Sequence, residues 1–293
     1  MAGSAPAADT GSPPDETGKK QKSEAELGGL KAFALLIAAA TLPAVSLAAQ
    51  PSTATVAGGV PTPVLEEEAL EAIQRVQAFL QKQNAVEIKA EVMTEEVYNS
   101  GQKIIFGQRL TYRMQRPDKM RLDFQSDLIA RRIYFDGGQV TVSEPRLGFF
   151  AQTDARGTIK DLFNAAEARG IELPLDDLLR WADPGYTFEP PPVGFYVGPA
   201  IVGRDRADHY AFRRPGADFQ IWIKQGEQPL PLKIVITDTV DPAQPNYIAR
   251  LEWDLAPRFT EAEFRFTPGP NDKRIPFAPR RGAATAAAST VKE

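Results

Sequence analysis

The sequence predicts a mainly antiparallel α+β fold. It is a curved barrel or half-barrel of about eleven strands, accompanied by an N-terminal helix and two short helices. Three observations carry this expectation. Apolar and polar residues alternate with period two over many short stretches, the pattern of a sheet with one wetted face. Turn residues separate the stretches, as in Asn99-Ser100-Gly101, Arg116-Pro117-Asp118, Gly137-Gly138 and Gly226-Glu227-Gln228-Pro229. So many consecutive strands must curl to avoid long exposed edges.

Taken in chain order, residues 1–28 are polar and rich in Ala, Pro, Gly, Ser and charge, a composition that predicts disorder. Residues 29–49 then read as an export segment. Lys31 precedes an uncharged run from Ala32 to Ala49, Pro43 interrupts it, and Ser46 and Ala48 supply the small residues of a cleavage site after Ala48 or Ala49. A cleaved signal and an uncleaved membrane anchor both fit that run. Either places the following chain in the periplasm. Residues 50–63 form a Pro/Thr/Gly-rich linker, residues 64–278 a single domain, and residues 279–293 a low-complexity tail.

The domain opens with a helix in which Leu65, Ala69, Ile73, Val76 and Leu80 recur at helical spacing, with Glu66 to Glu68 at its start to suit the helix dipole. Strands follow. Val86, Ile88, Ala90 and Val92 alternate with Glu87, Lys89 and Glu91. Ile104, Phe106, Gln108, Leu110, Tyr112 and Met114 alternate with Arg109, Thr111 and Arg113. Near the end, Tyr247, Ala249, Leu251, Trp253 and Leu255 alternate with Ile248, Arg250, Glu252 and Asp254. Two helical stretches interrupt the meander. Thr158 to Ala168 has Thr158 as N-cap and Gly170 beyond its end. Pro174 to Trp181 has Asp176 and Asp177 in its first turn. The expected order is helix, about six strands, two short helices and about five strands. A curled sheet of that breadth leaves either a hydrophobic cavity or a fully packed interior beneath its helices.

Signals for catalysis are sparse, and the reading is of a binding protein and not an enzyme. There are no cysteines, so disulfides, thiolate chemistry and cysteine metal sites are excluded. With 34 basic and 38 acidic residues, the chain lacks the basic stripe of a nucleic-acid binder. No phosphate loop or dinucleotide glycine pattern occurs, and no metal or cofactor is expected. His209 is the single histidine. On a strand, Asp208 faces away from it, and Asp205 lies across a turn, so a Ser-His-Asp arrangement is not expected. Asp176 and Asp177 read as a helix start and not as metal ligands. Arg116 stands out: it closes a strand two positions after the inward Met114 and just before Pro117. That puts it either at the mouth of the concave face or in solvent.

Several landmarks occur in order: Arg116-Pro117-Asp118-Lys119-Met120-Arg121, Ile133-Tyr134-Phe135-Asp136-Gly137, and Phe264-Arg265-Phe266-Thr267-Pro268. With the export segment and the opening helix, they resemble the LolA/LolB lipoprotein localisation factor superfamily. The resemblance is closer to a family of predicted periplasmic proteins of unknown function sharing that fold. Tyr196 to Pro199, His209 to Arg213, Phe219 to Ile223 and Pro229 to Thr237 are similar to that family's segments. The resemblance implies an incomplete β-barrel closed by a helical lid, with acyl chains held inside, and an arginine before proline that hydrogen-bonds the lid and governs its opening. Carried onto this sequence, Arg116 is the latch. Phe106, Leu110, Tyr112, Leu122 and Phe124 are the expected cavity wall, and Leu162, Phe163, Leu178 and Trp181 the expected lid. The implied partners are lipid or an acylated lipoprotein, with inner- or outer-membrane components. The alternative reading is an envelope protein-interaction or sensing module on the same fold.

Overall fold

The computed structural model describes residues 64–277, apart from 170 and 172. The expected N-terminal segment, export segment, linker and C-terminal tail lie outside the described residues, as does Gly170. Helix α1 (Glu67–Leu80) is followed by strands β1 (Ala85–Val97), β2 (Lys103–Gln115), β3 (Lys119–Ser126), β4 (Ala130–Phe135), β5 (Gln139–Glu144) and β6 (Phe149–Asp154). Helices α2 (Ile159–Glu167) and α3 (Asp176–Arg180) come next. Strands β7 (Val193–Val202), β8 (Asp205–Arg214), β9 (Ala217–Lys224), β10 (Pro231–Asp238) and β11 (Asn246–Asp254) complete the meander. The six-strand, two-helix, five-strand order expected from the alternation is present. A two-residue strand, β12 (Lys273–Arg274), adds a twelfth member that pairs parallel to β6. Two residues are too few for an alternation signal, which is why the sequence reading does not contain it.

All strands belong to one curved sheet in the order β12-β6-β5-β4-β3-β2-β1-β11-β10-β9-β8-β7. Every pairing except that of β12 is antiparallel. The first and last segments of the meander meet where β1 pairs with β11. The sheet is open, not a closed barrel, with β7 and β12 as its edges.

One face of the sheet is apolar. Ile88, Ala90, Leu110, Tyr112, Leu122, Phe219, Ile221, Ala249 and Leu251 share one buried cluster with Ala69, Ile73 and Val76 of α1. The other face carries Lys89, Glu91, Arg109, Arg250 and Glu252, all exposed. This separation is the direct consequence of period-two alternation read out on a pleated strand. Helix α1 is tied to the β7 edge: the Glu66 N–H donates to the Gly194 carbonyl (2.8 Å), and the Tyr196 N–H donates to the Glu66 carboxylate (3.1 Å). Gly194 is required here. A Cβ at this position would lie 2.5 Å from the Phe212 ring and 2.8 Å from Leu65.

The Phe264 to Pro268 landmark is not a strand. Glu261–Phe264 is a 3-10 turn, held by Lys119 to Glu261 (3.5 Å) and by a reciprocal Thr260–Glu263 cap. Phe266 then packs on the outward Tyr134 and Phe150, with ring centroids 5.5 and 4.8 Å away. Part of the outer face is thereby covered.

Candidate functional site

The site is assembled at the end of β2. Tyr112, Met114 and Arg116 follow one another with period two. Tyr112 and Met114 are buried. Arg116 reaches the rim, where its Nη1 donates to Asp183 Oδ1 at 3.0 Å. Asp183 lies in the segment just after α3, and its side chain is only 4 % exposed. The next residue extends the linkage: the Pro117 carbonyl accepts from the Ile159 N–H at the start of α2 (2.9 Å). Two adjacent residues therefore hold both short helices, one through a side chain and one through the backbone.

Further polar links fix the helical segment. Tyr112 Oη donates to the Pro174 carbonyl (2.6 Å), and Gln81 Nε2 donates to the carbonyls of Trp181 and Asp183 (3.4 Å each). Thr158 and Asp161 cap α2 reciprocally, as the N-cap position predicts. Arg180, buried in α3, donates to Asn164 Oδ1 (2.7 Å) and Glu167 Oε2 (3.1 Å), which ties α3 to α2. Its guanidinium also lies over the Phe163 ring.

The expected lid and wall residues meet in this arrangement. Leu110, Tyr112 and Leu122 of the wall and Leu162, Phe163, Leu178 and Trp181 of the lid are buried in a single cluster. Leu110 faces Phe124 and Tyr112 faces Leu122 across the β2–β3 ladder. Phe124 is partly buried against that cluster. Phe106 sits further out, half-buried and level with Thr94 on β1, away from the helices. In the described arrangement the helical residues and the sheet residues fill each other's space.

The first turn of α3 carries an acid pair, Asp176 and Asp177. Burial raises the Asp176 carboxyl to about 6, with Arg180 opposing the shift. Burial and then the neighbouring Asp176 charge raise Asp177 to about 7. Arg180 offers Asp176 only a 3.8 Å contact, since its short bonds go to α2. The sequence reading assigns these aspartates to a helix start, and they do occupy one. Their partial burial, and the roles of Asp183 and Arg180, cannot be read locally, because each depends on segments far away in the chain.

His209 points away from the buried Tyr210 and Phe212, as alternation predicts. Its ring stacks on Trp222 (centroids 4.0 Å apart, 9° between planes) and its Nε2 lies 3.0 Å from Gln220 Oε1. Asp208 is engaged elsewhere, accepting from Tyr196 Oη and Gln225 Nε2. Among the described residues, no group of three or more His, Asp or Glu side chains is placed to hold a metal.

Residues 69–278 match the family described as "Predicted periplasmic protein (DUF2092)", and the chain belongs to that family. The description agrees with the periplasmic location read from the sequence. No curated protein matches the chain. Solved structures similar to it include an uncharacterized conserved protein from Thermus thermophilus (13 % identity, TM-score 0.41, covering 72 % of this chain and 99 % of that one). Another is the Mycobacterium tuberculosis lipoprotein LppX (10 %, 0.39, 65 % and 97 %). A third is a LolA superfamily protein from Nitrosomonas europaea (8 %, 0.33, 68 % and 97 %).

Proposed function

We propose that this periplasmic family member is a lipid- or lipoprotein-binding protein of the carrier type, which holds acyl chains against the concave face of its sheet once the α2–α3 lid moves aside. One observation carries the reading: an apolar sheet face is covered by a short helical segment held at its rim by discrete polar links, among them Arg116 to Asp183. Moving it aside requires release of these links together with the apolar contacts it makes in the core.

The magnitudes are compatible. Withdrawing Leu162, Phe163, Leu178, Leu179 and Trp181 from the core costs about 2 kcal/mol each, roughly 10 kcal/mol in all. An acyl chain of about a dozen methylenes gains roughly 10 kcal/mol on full burial, before ordering costs. The two are of similar size, so the acyl chain compensates the displaced lid by taking over its apolar contacts. Purification without detergent, extraction with organic solvent and mass spectrometry of the extract test the reading. Co-purified lipid, or saturable uptake of a fluorescent fatty acid, is expected; absence of both rejects it.

A second reading, an envelope protein-interaction module with a filled interior, draws on the burial of Leu110, Tyr112 and Leu122 in the described arrangement. It predicts capture of a protein partner with no lipid uptake in the same experiments.

A further inference from the structure

A second site lies at the end of the sheet where the β7–β8 turn meets the ends of β9 and β11. Here a cleft of about 520 Å³ opens. Three cations line it from three separate elements: Arg204 in the turn, Lys224 at the end of β9 and Arg250 on β11. Its apolar lining includes Leu230, Leu232 and Trp253. The carboxylates of Asp205 and Glu252 also border it. Lys224 pairs with Asp205 at 2.9 Å, which neutralises one of each. No ion pair involves Arg204 or Arg250 among the described residues, and both are exposed. Arg250 lies between two cross-strand neighbours, the fourth cation Lys233 on β10 and Glu91 on β1.

The turn is shaped around Arg250. Gly203 adopts a left-handed conformation (φ +63°), and a Cβ there would lie 2.7 Å from Arg250 Nη2. With no side chain at Gly203, the Arg250 guanidinium lies against the turn that carries Arg204. Two guanidinium forks set at the mouth of a cleft match an oxyanion that accepts several hydrogen bonds at once. A phosphate group, with its multiple oxygens and high charge, fits better than a single carboxylate. The apolar lining leaves room for a non-polar portion next to it.

We propose that this cleft binds a phosphate-bearing ligand through Arg204 and Arg250. The phosphate comes either from the headgroup of an anionic phospholipid or from a free phosphate ion. The proposal is independent of acyl-chain carriage, since it concerns different residues on the outer rim. It is tested with the whole domain by two measurements. The first is calorimetric titration with inorganic phosphate. The second is co-sedimentation with phosphatidylglycerol-containing vesicles, with pure phosphatidylcholine vesicles as reference. The double variant Arg204→Gln/Arg250→Gln alters exposed side chains only, and its fold is checked by circular dichroism. Arg109→Gln removes an exposed outer-face cation two strands from Arg250 that does not line the cleft.

Binding to phosphate, to phosphatidylglycerol vesicles or to both is expected, at least about tenfold weaker in the double variant and unchanged in Arg109→Gln. Binding in the vesicle arm alone identifies the headgroup as the source, and binding in both identifies the phosphate group itself. The proposal is overturned if neither ligand binds above the phosphatidylcholine reference, or if Arg109→Gln weakens binding as much as the double variant.

Discussion

Arg116 and Asp183, 67 positions apart in sequence, form a 3.0 Å ion pair at the rim of the concave face, with their side chains 15 % and 4 % exposed. The pair joins the end of β2 to the chain just after α3. It is a polar link between sheet and helical segment whose charges are largely withdrawn from water. Removing one partner of such a pair leaves the other charge buried and uncompensated.

Arg116→Leu is therefore expected to destabilise the domain by about 3 kcal/mol in urea unfolding. The double variant Arg116→Leu/Asp183→Leu recovers most of that loss, since an apolar pair removes the stranded carboxylate. Hydrogen exchange of α2 and α3 accelerates in the single variant more than that of β1 or β11. Uniform acceleration over all strands would argue against a latch.

The acid pair sets a pH dependence of definite sign. Both carboxyls are raised from an ordinary value of 3.8, Asp176 to about 6 and Asp177 to about 7. Between those limits the folded chain holds protons that the unfolded chain has lost. Stability from these groups is thus fully present below about pH 4 and is lost as the pH rises through about 6 and 7, by on the order of a few kcal/mol. Asp177→Asn flattens this slope. Denaturation across roughly pH 4–8, wild type against variant, checks it. Identical slopes would remove the acid pair as the source of the pH dependence.

Tyr112 tests the second tether. Its hydroxyl donates to the Pro174 carbonyl at 2.6 Å from a fully buried ring. Tyr112→Phe keeps the packing and strands the carbonyl, a loss of about 1–2 kcal/mol. Thermal unfolding reads that loss, and an unchanged midpoint would contradict the tether.

Gly194 tests the α1 junction. Gly194→Ala places a methyl against Phe212 and Leu65, and an overpacking cost of about 1–3 kcal/mol follows. Chemical denaturation reads the cost. Fraying of α1 detected by hydrogen exchange would locate it at that junction.

Much of this molecule is legible in its sequence, and the reason is local. The faces of β1, β2 and β11 follow from alternation, and the Thr158 cap follows from the residue types at a helix start. Arg116 is recognisable from its place two residues beyond Met114 and before Pro117. Its partner is not: Asp183 sits in a segment whose position depends on α3 packing into the same core as Tyr112 and Leu122. The same holds for Arg250, which meets Gly203 only because the β7–β8 turn folds toward β11. Contacts of this kind are set by sheet curvature, a property of all the strands together. The short β12 and the 3-10 turn at Glu261–Phe264 carry no periodic pattern and gain their places from pairing with β6 and from Lys119.

If acyl chains lie between the sheet and the α2–α3 lid, a photoreactive lipid must mark both surfaces. Photo-crosslinking with a diazirine-bearing fatty acid, followed by peptide mapping of the labelled domain, tests this most directly. Label is expected on the inward residues of β2 and β3, around Leu110, Tyr112 and Leu122, and on the Leu178 to Trp181 stretch. Label confined to outward residues such as Arg109 and Glu91, or no label at all, would contradict it.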